Sequence, residues 1–223
     1  MKSFISWSGG KDACLSYYKA VKNEDVEALC FLNMVSEDGK KSRTHGISSA
    51  LLRAQAEAID LPIFQNKTTW NNYETEFKKT VLSLKQKDVV SGVFGDIDLD
   101  EHRQWVERVC RETGVSPIFP LWQREREELL SEFIGAGFEA IVVAVKKDVL
   151  GPEWLGRKID KSFMRDLKKM ESVDLCGEAG EYHTFVYNGP LFNKRIKIKS
   201  TDKQKGEKSN FLKILDYEII DKN

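Results

Sequence analysis

Cysteine is scarce in this chain. Cys14, Cys30, Cys110 and Cys176 are the four among 223 residues, and no Cys-x-x-Cys pair occurs. With three histidines to add, no run has the ligand spacing of a zinc site. The thiols read as reduced side chains, some buried, in a cytoplasmic protein. Long hydrophobic runs are missing too: none approaches the ~20 residues that cross a bilayer. The strand-like Phe4–Trp7 leads straight into a turn, which is not a signal-peptide pattern. Charge of one sign is also lacking. Lys plus Arg and Asp plus Glu are 35 each, which argues against a nucleic-acid backbone as the main partner. No internal repeat or low-complexity segment is visible.

What is there is an alternation of elements. Hydrophobic residues make up 41% of the chain and charged ones 31%, the balance of an ordinary soluble globular protein. Apolar, strand-like runs fall at Phe4–Trp7, Val26–Leu32, Ile63–Gln65, Val89–Phe94 and Ala140–Val145. Helical spacing occupies Asp12–Val21, Ser48–Ile59, Tyr73–Lys85, Asp100–Thr113 and Arg124–Ala136. Short strands alternating with longer helices predict βαβ units and an α/β fold with a doubly wound, mainly parallel sheet. After about residue 147 the rhythm changes. Arg195–Lys199 and Phe211–Ile220 alternate polar and apolar residues, as half-solvated antiparallel strands do, and the polar Ser200–Asn210 reads as a loop. These patterns predict a nucleotide-binding domain over 1–147 and a smaller α+β substrate-binding region over 148–223. An exposed C-terminal strand could pair two copies in a homodimer.

One junction carries chemistry. Ser8-Gly9-Gly10-Lys11-Asp12 follows the first strand and opens the first helix. Gly9 and Gly10 let backbone N–H groups approach an anion without a Cβ in the way. The helix start adds partial positive charge, Lys11 a full one, and Ser8 a hydroxyl. Asp12 suits either a helix cap or a metal. The spacing fits neither the Walker A loop nor the dinucleotide GxGxxG loop, because the glycines are adjacent and the lysine follows at once. Gly95-Asp96 ends the Val89–Phe94 strand, where α/β sheets place ligand-binding residues. Arg103 stands one helical turn from Glu107, either to pair with it or to neutralise phosphate. Glu178 and Glu181, flanked by Gly177 and Gly180, suit a metal or ammonium better than they suit packing. His45 and His183 are candidate bases.

SGGKD after a first strand resembles the PP-loop of the N-type ATP pyrophosphatases. Further stretches narrow the likeness: Thr44-His45-Gly46-Ile47; Gly95-Asp96-Ile97 with His102-Arg103; Pro120-Leu121-Trp122; Leu155-Gly156-Arg157; and Cys176-Gly177-Glu178-Ala179-Gly180-Glu181-Tyr182-His183-Thr184. Together, over about residues 3–192, they resemble the diphthine–ammonia ligase family. That resemblance implies an enzyme with an adenine nucleotide alpha hydrolase-like fold. It would use ATP and Mg2+ to adenylate a carboxylate and amidate it with ammonium, releasing AMP and pyrophosphate. In an archaeal or eukaryotic source the carboxylate would sit on elongation factor 2. It also implies site roles. Ser8, Gly9, Gly10, Lys11, Asp12, Gly95, Asp96 and Arg103 would bind nucleotide, with Asp12 and Asp96 on the metal. Lys11, Glu178, Glu181 and His183 would be catalytic, and His45 and Arg157 would contact substrate. Two positions depart from the family pattern: Ala13 replaces a loop serine, and His183 stands where a glutamate is usual.

Three rivals remain at this level. The same loop serves enzymes acting on a different carboxylate or on RNA, and tRNA sulfurtransferases often use a cysteine pair. A non-catalytic nucleotide sensor would need fewer carboxylates than Asp12, Asp96, Glu178 and Glu181 provide. A built-in glutaminase has no room in 223 residues, so ammonia would be free or delivered by another chain.

Overall fold

The computed structural model describes residues 1–223 except 24, 25, 44, 171, 172 and 223, with the backbone alone of residue 23. Thr44 therefore lies outside the described residues. The chain divides into two compact units. The first comprises Met1–Ser8 and Asp12–Gln123, and the second Gly9–Lys11 and Arg124–Asn223.

The first unit is an α/β sandwich. Its strands are β1 (Lys2–Ser6), β2 (Glu27–Val35), β3 (Ile63–Lys67), β4 (Ser91–Val93) and β5 (Ser116–Ile118), in the spatial order β3-β2-β1-β4-β5. Every pairing is parallel. Its helices are α1 (Lys11–Asn23), α2 (Ser49–Ile59), α3 (Tyr73–Lys85) and α4 (Asp100–Thr113). The order reverses between β1 and β4, and a ligand crevice opens at the carboxyl ends of the strands at such a switch point. The segments leaving these two ends are SGGKD and Gly95-Asp96.

Burial explains the strand sequences. Phe4 and Ile5 of β1 are completely buried. The Phe4 ring meets Phe77 and Phe94 edge-on, at 6.2 and 5.7 Å between centroids. It also covers Gly92 so closely that a Cβ there would stand 2.4 Å from the ring, which accounts for a glycine inside β4. Trp7, just past β1, stacks on Phe31 at 3.8 Å, and its indole N–H donates to buried Gln55 at 2.8 Å. That bond satisfies two polar groups which would otherwise be desolvated without a partner.

The second unit holds an antiparallel sheet of β6 (Glu139–Lys146), β7 (Tyr182–Asn188), β8 (Lys194–Lys205) and β9 (Ser209–Asp221), ordered β7-β6-β9-β8. Helices α5 (Arg126–Gly135) and α6 (Lys161–Leu167) and a 3-10 turn at Pro152–Trp154 accompany it. The Asp160 carboxylate caps α6 by accepting the Phe163 N–H at 2.8 Å, one of the helix's orphan donors.

Two sequence expectations shift here. The strand at 140–145 belongs to the antiparallel sheet of the second unit, which takes in the chain from Arg124. β6 is buried at six consecutive positions, so it reads as a continuous apolar run whichever way its neighbours point. The fifth parallel strand is instead Ser116–Ile118. The expected loop 200–210 is largely strand, because β8 and β9 form a long hairpin turning at Gly206-Glu207-Lys208.

Candidate functional site

In the first unit, Ser8 follows β1 and Asp12 lies in the first turn of α1. Gly95 packs directly on that turn: a Cβ at Gly95 would come within 3.1 Å of the Asp12 carbonyl carbon and 3.2 Å of the Ala13 nitrogen. Glycine is what lets the two backbones approach, so Asp12 and the Gly95-Asp96 pair meet at the switch point. Asp96 is half-buried, and its carboxylate lies 3.4 Å from His102 Nδ1.

Of the two roles that spacing left open to Arg103, the structure shows the pairing with Glu107. Its Nε donates to Glu107 at 2.6 Å, and its guanidinium lies over Trp122 at 4.6 Å and Phe119 at 5.4 Å. The stacking ties α4 to the Pro120-Leu121-Trp122 stretch. His45 is half-buried in the segment between β2 and α2.

In the second unit, the loop residues are bound to β7 and to the segment before it. The Gly9 carbonyl accepts the Val186 N–H at 3.0 Å. Gly9 has φ +78°, a conformation glycine adopts freely. The Lys11 N–H, an orphan donor of the α1 start, donates to the Thr184 hydroxyl oxygen at 2.9 Å. Lys11 is only 4% exposed. Its ammonium donates to the Cys176 carbonyl and lies 5.4 Å from the centre of the Tyr182 ring.

The CGEAGEYHT segment is thus folded around this lysine. The Cys176 N–H donates to Asp174 at 2.6 Å, and the Tyr182 hydroxyl donates to the Leu175 carbonyl at 2.6 Å. Gly177 has φ +71°, and a Cβ there would lie 2.9 Å from the Tyr182 carbonyl oxygen. Glu181 is buried. One carboxylate oxygen accepts the Asp174 N–H at 3.2 Å, while Oε2 is buried with no hydrogen-bond partner. Glu178 is half-buried between the two glycines. His183, at the second position of β7, has its pKa pulled down to about 4, first by burial and then by the positive charge of Lys11. Its imidazole is therefore neutral at neutral pH.

Arg157 sits within its own unit's packing. It pairs with Asp166 at 2.8 Å and lies over Trp154 at 4.4 Å. Sequence reasoning gave no role to Thr184, Asp174 or the Cys176 carbonyl. Thr184 and Cys176 stood in a quoted motif, but the signal for their part is a partner far along the chain.

Among the described residues no group of three or more His, Cys, Asp or Glu side chains is arranged to hold a metal ion. Asp12 and Asp96 are the two carboxylates that would hold Mg2+ on a nucleotide, which such a cation binds through one or two carboxylates plus phosphate oxygens and water. Among the described residues no helix is long and apolar enough to cross a membrane.

Comparison with known proteins gives the family of the chain. Residues 1–117 match the family model "Diphthamide synthase N-terminal domain" and residues 125–220 match "Diphthamide synthase C-terminal domain". The diphthine–ammonia ligase of Bos taurus is 31% identical over 87% of this chain and 82% of its own length. That of Homo sapiens is 30% identical over the same shares. The Schizosaccharomyces pombe protein of that name is 31% identical over 91% of this chain and 36% of its own length. Among solved structures, one described as a predicted tRNA methyltransferase subunit from Methanocaldococcus jannaschii has a TM-score of 0.46 at 12% identity, covering 85% of this chain and 98% of that one. Both halves of one family, matched end to end, and relatives of this identity over most of the sequence mean that the chain belongs to the diphthamide synthase family.

Proposed function

We propose that the chain is an ATP-dependent ligase that activates a carboxylate as its adenylate and converts it to an amide with ammonia. One observation carries this reading. The Lys11 ammonium of the SGGKD loop is held by the Cys176 carbonyl, so the phosphate-binding lysine and the acidic CGEAGEYHT segment form one cluster. Membership of a family whose relatives bear the name diphthine–ammonia ligase supports it.

In this reading Ser8, Gly9, Gly10 and Lys11 bind the β and γ phosphates. Asp12 and Asp96 hold Mg2+, which would neutralise phosphate charge. A carboxylate oxygen of the acceptor attacks the α phosphorus, the bond from it to the bridging oxygen of the β phosphate breaks, and pyrophosphate leaves. Lys11 stabilises the charge that develops on the leaving oxygens. Ammonia then attacks the acyl carbon, AMP departs, and the surplus proton passes to solvent through a carboxylate.

Glu181 supplies the negative charge that draws ammonium in and accepts its proton. His183, neutral because of burial and Lys11, neither repels the cation nor competes for the proton. It offers a hydrogen-bond acceptor where the family pattern has a second carboxylate. The acceptor substrate in this reading is a carboxylate on a protein, the modified histidine of elongation factor 2 where the source lineage makes it.

The sulfurtransferase alternative requires an ionised cysteine, and burial pushes the Cys30 and Cys110 thiols up to about 11 and about 12 and holds that of Cys14 well above the ordinary thiol value.

The test is AMP and pyrophosphate release from ATP, with ammonium and the acceptor present. The wild type should release both in an ammonium-dependent manner, and Lys11→Ala should release neither while remaining folded. Ammonium-independent turnover, or full activity in Lys11→Ala, would sink the assignment. Nucleotide binding without AMP under any nucleophile would favour a sensor.

A further inference from the structure

Thr184 carries a hydroxyl proton for which the protein supplies no acceptor. Its Oγ1 accepts the Lys11 N–H at 2.9 Å. Among the described residues, none accepts a hydrogen bond from its own O–H. A threonine hydroxyl is one donor as well as an acceptor, so half of its capacity is used. The side chain is 3% exposed, and a donor so shielded from water carries the full desolvation penalty until something accepts from it. Such a group in a native structure marks a place where something binds or reacts.

The topology explains why this hydroxyl stands where it does. β7 is the end strand of its sheet, with β6 on one side only. Its other edge takes the SGGKD loop. The Val186 N–H donates to the Gly9 carbonyl at 3.0 Å, and two residues earlier Thr184 meets Lys11. Lys11 opens α1, where the first backbone N–H groups have no helical acceptor and favour an anion. The Thr184 hydroxyl is therefore aimed at the N-terminus of a thirteen-residue helix, beside a lysine and two glycines. Beyond Ser8, no other hydroxyl lies between residues 8 and 16 except that of Ser16. Ser16 is completely buried and donates to the Ala13 carbonyl at 3.0 Å. Donors and positive charge surround this point, so the partner that Thr184 lacks is an anionic acceptor.

We infer that Thr184 is a further phosphate-binding residue, receiving the Lys11 N–H and donating its own O–H to a β- or γ-phosphate oxygen in the SGGKD loop. This role rests on the ligase reading of the site. A hydroxyl donating to an ionised phosphate makes a charge-assisted bond, and the N–H it accepts polarises it in the same direction. Thr184 thereby both fixes the loop and binds what the loop holds.

The experiment is a calorimetric titration of the full-length chain with ATP, pyrophosphate and AMP, well below the melting temperature. The wild type should bind ATP and pyrophosphate. Thr184→Val should bind both about tenfold or more weakly, the loss expected for one hydrogen bond to a charged group. AMP has no β or γ phosphate, so its affinity should not change. Thr184→Ser keeps the hydroxyl and should bind as the wild type does. Ala13→Ser, added to Thr184→Val, places a hydroxyl in the first turn of α1 and should recover most of the lost affinity. If Thr184 merely supported the loop, that added hydroxyl would repair nothing, because the Lys11 N–H would still lack its acceptor. Undiminished ATP and pyrophosphate binding in Thr184→Val, equal weakening of AMP, or no recovery from Ala13→Ser would overturn the role of Thr184 while leaving the ligase reading intact. A wild type that binds neither ATP nor pyrophosphate would overturn both. Thr184→Ala decides the matter if Thr184→Val does not fold.

Discussion

The Lys11 amide nitrogen and the Thr184 hydroxyl oxygen lie 2.9 Å apart, although 173 positions separate them in the chain. The lysine of the SGGKD loop is thus held at its backbone by β7, at the last residue of the CGEAGEYHT segment. The start of α1 leaves this N–H without a helical acceptor, and Thr184 provides one in a buried setting. Thr184→Val keeps the shape and removes the acceptor. It should cost about 1–3 kcal/mol, the penalty of a buried donor left unpaired. In a chain of this size that corresponds to a melting temperature lower by roughly 2–4 °C per kcal/mol. Thermal denaturation would show it, and an unchanged melting temperature would mean that the bond contributes nothing.

His183 makes stability depend on acidity. Its pKa falls from 6.5 in the unfolded chain to about 4 in the folded one. Between these values the unfolded state binds the proton and the native state refuses it. Native stability should therefore be full above about pH 6.5 and decline as pH falls toward 4. The total loss is about 3 kcal/mol at one pKa unit per 1.36 kcal/mol. His183→Gln removes that component. Denaturant midpoints at pH 7 and pH 5 should differ less in the variant than in the wild type; equal differences would show that His183 titrates normally.

Much of this fold was legible in advance, and the failures have physical causes. β1 and β2 announced themselves through buried apolar residues at successive positions, and β4 through the apolar residues around its buried Ser91-Gly92-Val93. β5 did not. It is three residues long with Pro117 in the middle, which is tolerated because β5 lies at the sheet edge. The outer half of β8 was invisible for another reason. Every residue from Lys199 to Lys205 is exposed, so no alternation survives to mark a strand. In the candidate site, adjacent glycines before a lysine suggest an anion from local chemistry alone, an expectation that the structure leaves as a proposal, whereas the partners of Lys11, the Cys176 carbonyl and the Thr184 hydroxyl, depend on a tertiary approach that no local pattern encodes.

Glu181 separates charge from shape. Its Oε1 is engaged by the Asp174 N–H, while Oε2 is buried without a partner. Glu181→Gln retains an acceptor for Asp174 and removes the negative charge. Stability should change by less than about 1 kcal/mol, because a buried carboxylate lacking one partner is costly to begin with. In the proposed reaction, where Glu181 would be the base, ammonium-dependent AMP formation at saturating ATP should fall by about 10²-fold or more, the usual contribution of a positioned base. Full turnover in a stable Glu181→Gln protein would remove this residue from the chemistry.

Gly177 and Gly180 flank Glu178, and both have positive φ, +71° and +78°. An alanine at either pays the left-handed penalty of about 1 kcal/mol. Only at Gly177 does the new methyl also collide, with the Tyr182 carbonyl oxygen at 2.9 Å and its ring at 3.0 Å; around Gly180 nothing lies within 4 Å. The Tyr182 backbone cannot retreat easily, because β7 is paired with β6 through the 182–145 register and the Tyr182 hydroxyl is fixed on the Leu175 carbonyl. Gly180→Ala should therefore cost about 1 kcal/mol and leave ligase activity near wild type. Gly177→Ala should cost on the order of 2 kcal/mol or more and displace the Cys176 carbonyl that holds Lys11, lowering ATP affinity as well as stability. Parallel melting curves and ATP titrations of the two variants distinguish the cases. Equal effects at the two glycines would mean that the segment adapts around Tyr182, and that the Lys11 contact is set by something other than this turn.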